Sequence, residues 1–240
     1  MEVHVPEHPI HTWREFFTHI GIVTIGLLIA IAMEQSVEMA HHRHQRSELR
    51  EALHQDGERT VEDTDRLLQN QRSRMAWLNA RMTQVRAAIR SHQPLPAAAA
   101  AGFADFDLPD MPAWHAARAS GLLERLPQDD VRAWSEVDLS LNGVNTSYAE
   151  EVKAIQRRHA FESQYSTGVG QPLTQPVPAE ALQRYFEVLS EEAATVIALE
   201  SDASELKGAE ESVLRGERNL DRIQESERHT DLPVNTDRRQ

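Results

Sequence analysis

The chain has 240 residues, 38 acidic against 25 basic side chains, and a net charge of −13 at neutral pH. It contains no cysteine, which excludes disulfides, thiolate catalysis and thiolate metal sites, and its acidity argues against a nucleic-acid partner. Aromatic residues make up 5% of the chain and glycine is sparse, whereas Ala, Glu, Arg and Leu dominate, a composition suited to helices rather than sheets.

The first element is an apolar run from Phe16 to Met33, FFTHIGIVTIGLLIAIAM, without a formally charged side chain. At helical rise it covers roughly 27 Å, close to the hydrocarbon thickness of a bilayer. A single spanning segment must satisfy its backbone groups internally, so the run is expected to be a transmembrane helix over 16–34, after a tail and interface segment at 1–15. Thr12 and Glu15 fit a capping box, and Trp13 suits the headgroup region. Gly26 and Ala30 form a small-xxx-small pair, and the plainer reading has both facing lipid. His19 lies about one turn inside the span, a depth from which it reaches headgroups. A cleaved signal peptide is the rival reading, since Ala30-Ile31-Ala32 matches a small-x-small site. That site lies within the apolar run, and the preceding tail is not basic. Arg14 before the span and Arg43, Arg46 and Arg50 after it place the C-terminal side in the cytoplasm by charge count. The habit of a lone N-terminal anchor with an exported domain points the other way, so the membrane side stays open.

Beyond the span, residues 35–225 are expected to form an elongated three- to four-helix bundle with coiled-coil-like packing. The first helix, 35–91, runs on from the membrane with no proline to stop it, and Gly57 is its weakest point. Val61, Leu68, Met75, Met82 and Ile89 recur as one seam of a heptad. Leu78 and Val85 form the other, which Thr64 and Gln71 weaken. Residues 93–111 form a connector packed by Phe103, Phe106 and Leu108. A short helix follows over 112–126, with Pro112 in its first turn. A third helix, 128–165, presents Val131, Trp134, Val137, Leu141, Val144, Tyr148, Val152 and Ile155 as an apolar stripe, which Asn142-Gly143 is expected to dent. Trp114 and Trp134 read as bundle core rather than a ligand cage. A loop with two glycines and three prolines leads to the last helix, 178–223, whose Leu182, Tyr185, Leu189, Val196, Leu199, Ala203, Leu206, Val213 and Leu220 keep a 3–4 rhythm. Glu192 and Glu210 interrupt that seam. The polar tail, 226–240, reads as disordered.

The charges sort by helix. Between Arg66 and Arg90 there are six arginines and no acid, and between Ala179 and Glu205 seven acids with Arg184 as the lone base. These two segments are therefore expected to lie against each other, with apolar burial carrying the stability and exposed pairs adding about 0–1 kcal/mol each.

Candidate chemistry concentrates near the span. Glu38, His41, His42 and His44 follow it closely, and His4, His8 and His11 precede it. Glu38-Met39-Ala40-His41 and Glu51-Ala52-Leu53-His54 each match E-x-x-H, the spacing of carboxylate-bridged metal bundles. Both lie on one helix, roughly 20 Å apart along its axis, too far to share a metal pair. A wetted collar of histidines and acids, open to titration near neutrality, is the simpler expectation, and no metal ligand set is assigned. There is no G-x-S-x-G, no phosphate loop and no H-E-x-x-H; Gly168-Val169-Gly170 sits in a proline-rich loop and is not a nucleotide fingerprint. No catalytic residue and no cofactor is assigned.

Met1-Glu2-Val3-His4, Pro9 to Phe17, and the span of the type TIGLLIA…EQ.VE from Thr24 to Glu38 resemble a group of bacterial membrane proteins with a short His-rich tail. Ala113-Trp114, Ser120 to Leu123 and Leu126-Pro127 resemble their midsection more loosely. The resemblance implies a single-span protein of the bacterial inner membrane with a helical domain, and it carries over no catalytic residue. The expected role is a non-enzymatic scaffold or interaction protein whose partners are the lipid bilayer and another protein or a second copy. The alternative is a single-span sensor responding to protons, metal or a small ligand through the juxtamembrane helix.

Overall fold

The structure is a computed structural model that describes residues 13–97 and 106–229, apart from the side chains of Glu15 and His229. Thr12 of the expected capping box, the histidines before the span and Phe103 lie outside the described residues. Among the described residues the fold is all-α, with five helices: α1 (Trp13–Ser91), α2 (Pro112–Ser120), α3 (Gln128–Glu162), α4 (Leu182–Leu214) and α5 (Leu220–His229). Among the described residues there is no β-strand, only two isolated antiparallel bridges, Leu95 with Val177 and Ser166 with Leu173. The chain divides into two compact units, residues 1–50 and 51–240.

In the first unit α1 exposes its apolar side chains. Phe17, Ile22, Val23, Ile25, Leu27, Leu28 and Ile29 are all exposed, and none of the apolar window is buried. Water would not tolerate such a surface on an isolated helix, whereas lipid would. The polar groups beside it are satisfied internally: Thr18 donates to the Arg14 carbonyl at 2.8 Å and Ser36 to that of Ala32 at 2.7 Å. Trp13 stacks on Phe17 with centroids 5.7 Å apart and meets Phe16 edge-on at 5.9 Å.

In the second unit the later part of α1 packs with α3 and α4, and α2 and α5 close over them. The buried stripe of α1 is Leu53, Thr60, Thr64, Leu67, Gln71, Leu78 and Val85, each fully buried. Of the two seams expected from the heptad, that of Leu78 and Val85 with Thr64 and Gln71 is the buried one. Thr64, Gln71, Leu78 and Val85 form its centre, while Val61, Met75 and Ile89 sit half-buried on its flank. Gly57 is no weak point but a point of close approach: a Cβ there would lie 2.9 Å from the Trp134 ring and 3.0 Å from Leu214. The helix ends at His92, which takes the left-handed conformation (φ 55°), and the Gln93 N–H returns to the Ala88 carbonyl at 3.2 Å, a Schellman closure without glycine.

Five further expectations change. The helix over 112–126 stops at Ser120, because Gly121 turns left-handed (φ 75°) and caps it; residues 122–125 continue as a 3-10 turn. The helix over 178–223 is two helices. Gly216 (φ 91°) ends α4, with Glu217 N–H bonded to the Ser212 carbonyl at 3.1 Å. Asn219 then opens α5, its side-chain oxygen accepting from the Asp221 N–H at 2.9 Å. Residues 226–229 of the expected disordered tail belong to α5, held by fully buried Ile223. Asn142-Gly143 does not dent α3, which runs unbroken to Glu162. The stripe on α3 holds from Trp134 to Val144; beyond that Glu151, Ala154, Arg158 and Phe161 take the buried positions, and Tyr148, Val152 and Ile155 are half-buried.

Cross-helix contacts bring the Arg-rich and Glu-rich segments together. Arg72 lies 3.5 Å from Glu200, Arg74 lies 3.4 Å from Glu192, and Arg86 covers the Phe186 ring at 4.8 Å. The short α2 takes its cap from α1: the Asp56 carboxylate accepts the Ala113 N–H at 2.6 Å, and Thr60 donates to the Asp110 carbonyl at 3.0 Å. Gly57→Val is expected to destabilise the second unit by about 1–3 kcal/mol, because the added methyls meet an indole with no room to move. Urea unfolding followed by Trp fluorescence measures the loss, and an unchanged midpoint would refute the close approach.

Candidate functional site

The residues singled out near the span do not converge. Glu38 and His42 pair one turn apart at 3.9 Å, His44 pairs with Glu48 at 3.1 Å, and His54 with Glu58 at 3.6 Å, all with exposed side chains. These are i,i+4 contacts along one helix surface, each worth a few tenths of a kcal/mol. In the second E-x-x-H motif His54 turns to Glu58, while Glu51 accepts from Gln55 at 2.9 Å. Among the described residues no three His, Asp or Glu side chains gather as a metal ligand set.

The charged groups that do converge lie within the bundle: Gln71 and Glu192 at the breaks the sequence shows in the apolar seams, and Arg74, Glu151 and Arg158 at positions that read as ordinary helix surface. Gln71 donates to Glu151 at 3.2 Å, and Arg74 approaches the same carboxylate at 3.0 Å. Arg74 also meets Glu192 at 3.4 Å. Arg158 binds the other oxygen of Glu192 at 2.6 Å and reaches Glu162 at 2.8 Å. The Tyr185 hydroxyl donates to Glu162 at 2.6 Å and accepts from Arg81 at 3.2 Å; Arg81 also donates to Gln84 at 3.0 Å. The result is one polar chain joining α1, α3 and α4. Glu192 is 0% exposed, Glu151 1% and Arg158 4%. Rings complete the enclosure, with Arg158 over Trp77 at 5.0 Å and Phe161 stacked on Tyr185 at 4.9 Å.

Burial shapes the proton affinities. Desolvation raises the Glu151 pKa above the usual carboxylate range, and the like charge of Glu192 adds to it against the pull of Arg74 and Gln71. Desolvation opposes the charge of Arg158, but Glu192 and Glu162 outweigh it, and its pKa rises. Tyr185 is raised by desolvation and by Glu162, so it stays a neutral donor. Desolvation and the neighbouring Arg158 lower the pKa of His159. Carboxylate and guanidinium are locked against one another, which suits positioning of helices more than proton transfer.

Glu210 on α4 differs. It is fully buried, and neither side-chain oxygen has a hydrogen-bond partner. Desolvation first, then the charges of Glu211, Asp63 and Asp65, push its pKa up to about 9. Trp114, by contrast, is core, as its 2% exposure shows.

Comparison with protein-family models, with curated proteins and with solved structures gives no match to this chain. What the described residues define is an all-α helical bundle with one candidate membrane helix.

Two outcomes follow. Arg158→Met is expected to cost about 3–5 kcal/mol, because it leaves Glu192 and Glu162 buried beside an apolar side chain. A loss below about 1 kcal/mol in denaturant titration would show the chain to be solvated. For Glu210 the folded pKa stands above the unfolded value of 4.5, so the folded state holds a proton that the unfolded state has lost. Stability therefore falls as pH rises between about 4.5 and about 9, by up to about 1.4 kcal/mol per unit. Glu210→Gln is expected to flatten that slope in a pH series of melting curves; an identical slope in both proteins would refute the assignment.

Proposed function

We propose that the protein is a membrane-anchored helical interaction module of the bacterial inner membrane, crossing once and acting through binding rather than catalysis. The observation that carries the reading is the exposed apolar surface of α1 between Phe16 and Met33, which lipid would cover. Binding is favoured over catalysis because the titratable groups gathered in the bundle are engaged with one another as ion pairs. The partner is another envelope protein or a second copy of the chain, met through long amphipathic helices of the kind that pair in coiled coils. The resemblance of the N-terminal stretch to His-tailed bacterial membrane proteins points the same way.

A sensor is the second reading. It is favoured by the polar chain, since one string of hydrogen bonds and ion pairs joins α1, α3 and α4 and a change at any link would be felt by the others. The anchoring has a direct test. Full-length protein is expected to stay in the membrane pellet through a carbonate wash, and Leu27→Arg with Leu28→Arg to move it to the supernatant. Wild-type protein in the supernatant would overturn the reading. Two differently tagged copies expressed together and captured from mild detergent separate self-association from a distinct partner.

A further inference from the structure

Just past the apolar run, α1 carries Glu34, Glu38, Arg43, Arg46, Glu48 and Arg50. A helix that pairs with another turns two positions inward in every heptad, a and d, with e and g beside them. Only one heptad frame keeps all these charges off a and d. It puts Val37 and His44 at a, and Ala40 and Ser47 at d. Followed back through the apolar run, the same frame selects Val23 and Ala30 at a, and Gly26 and Met33 at d. Every one of these residues is exposed, Val37 to 71% and Met33 to 66%. A Cβ at Gly26 would meet nothing within 4 Å, so a second backbone has room to come close there.

The flanks of this seam sort by sign. Glu34 and Glu48 fall at e, and Arg43 and Arg50 at g. In an antiparallel pair e meets e and g meets g, which sets like charges together. In a parallel pair g meets the e position five residues on in the other helix, which sets Arg43 of one copy against Glu48 of the other. Within its own chain Glu48 lies 3.1 Å from His44 and keeps 63% of its side chain exposed, so a neighbouring guanidinium has access to it. Copies inserted in one membrane in the same sense run parallel. We propose that a second copy of this chain covers the seam, the two α1 helices pairing in parallel from Val23 to Ser47 about a two-fold axis. The proposal rests on the single-span reading and names its partner. Lipid covers an apolar surface in any frame, and gives no reason for charges to clear one frame and divide by sign on either side of it.

The test uses the full chain in isolated membranes, where it has no cysteine of its own to interfere. Mild oxidation of Ala40→Cys is expected to give a disulfide-linked dimer, several-fold more of it than His42→Cys on the opposite face. Added to Ala40→Cys, Gly26→Leu should cut the dimer by about fivefold or more, because it holds the backbones apart. Gly21→Leu is the matched control, since its Cβ also meets nothing within 4 Å but lies off the seam, and it should change nothing. Arg43→Glu and Glu48→Arg should each weaken pairing alone and pair with each other when co-expressed, each supplying the sign the other lacks. A carbonate wash of the same membranes keeps two failures apart. Protein lost in the wash overturns the single-span reading and this proposal with it. Anchored protein that gives no dimer, cross-links equally at both cysteines, responds alike to the two glycine variants, or joins Ala40→Cys to a different protein overturns the pairing alone.

Discussion

Desolvation of charge governs the second unit of this protein. An arginine or glutamate taken from water into a helical core costs several kcal/mol, and the expense is met only by partners at short range and good geometry. Glu192 shows how this is met, with Arg158 on one oxygen and Arg74 near the other, while Arg158 in turn holds Glu162. Each link constrains two helices at once. A slip of α4 along α1 by one residue would set Glu192 against a different face of α1 and strand it. The ion pairs contribute little net stability over an apolar core of equal volume, and what they add is a single permitted register.

Around that constraint the apolar packing falls into place. Leu78, Met82 and Val85 of α1 meet Leu182, Leu189 and Val196 of α4 in one buried cluster that also takes in Phe161, Leu173 and Val177. The loop before α4 belongs to this cluster because its backbone is tied down: Leu95 and Val177 exchange both hydrogen bonds at 2.9 Å. Trp134 closes the opposite part of the unit by lying against Gly57, where the missing side chain admits the indole. The first unit follows another rule. Its apolar run from Phe16 to Met33 faces outward, a surface that lipid would cover.

The apolar run at Phe16–Met33 and the rhythm of α4 were legible because both rest on unbroken patterns of one residue class. The buried face of α1 was legible in part, through the seam of Thr64, Gln71, Leu78 and Val85, and the second half of α3 was not. Where Gln71, Arg74, Glu151 and Arg158 fill the inward positions, counting apolar residues points to the flanking Met75, Val152 and Ile155 instead. Charge sorting between the helices did carry a signal, since six arginines facing seven acids anticipated the Arg74–Glu192 and Arg72–Glu200 contacts. It did not say which pairs would be submerged. The breaks at Gly121 and Gly216 were also readable, Gly216 being followed closely by Asn219, a good helix opener. A continuing 3–4 rhythm through Leu220 ran across the second of them. His41, His42 and His44 attracted attention by clustering in sequence, yet helical geometry spreads them around one rod, and His42 and His44 turn to different glutamates, Glu38 and Glu48.

The borrowed cap on α2 has a consequence for how the molecule assembles. Nine residues are too few to hold a helix in water, and the first turn of α2 has no side chain of its own bonded at its cap. Its N–H acceptor, Asp56, arrives from a segment 57 positions earlier in the chain. Helicity at Pro112–Ser120 is thus conditional on a docked neighbour, which places this piece among the last to form and the first to fray. Amide hydrogens there should exchange with deuterium sooner than those of the long helices beneath, giving the bundle a soft flap over a stiff frame.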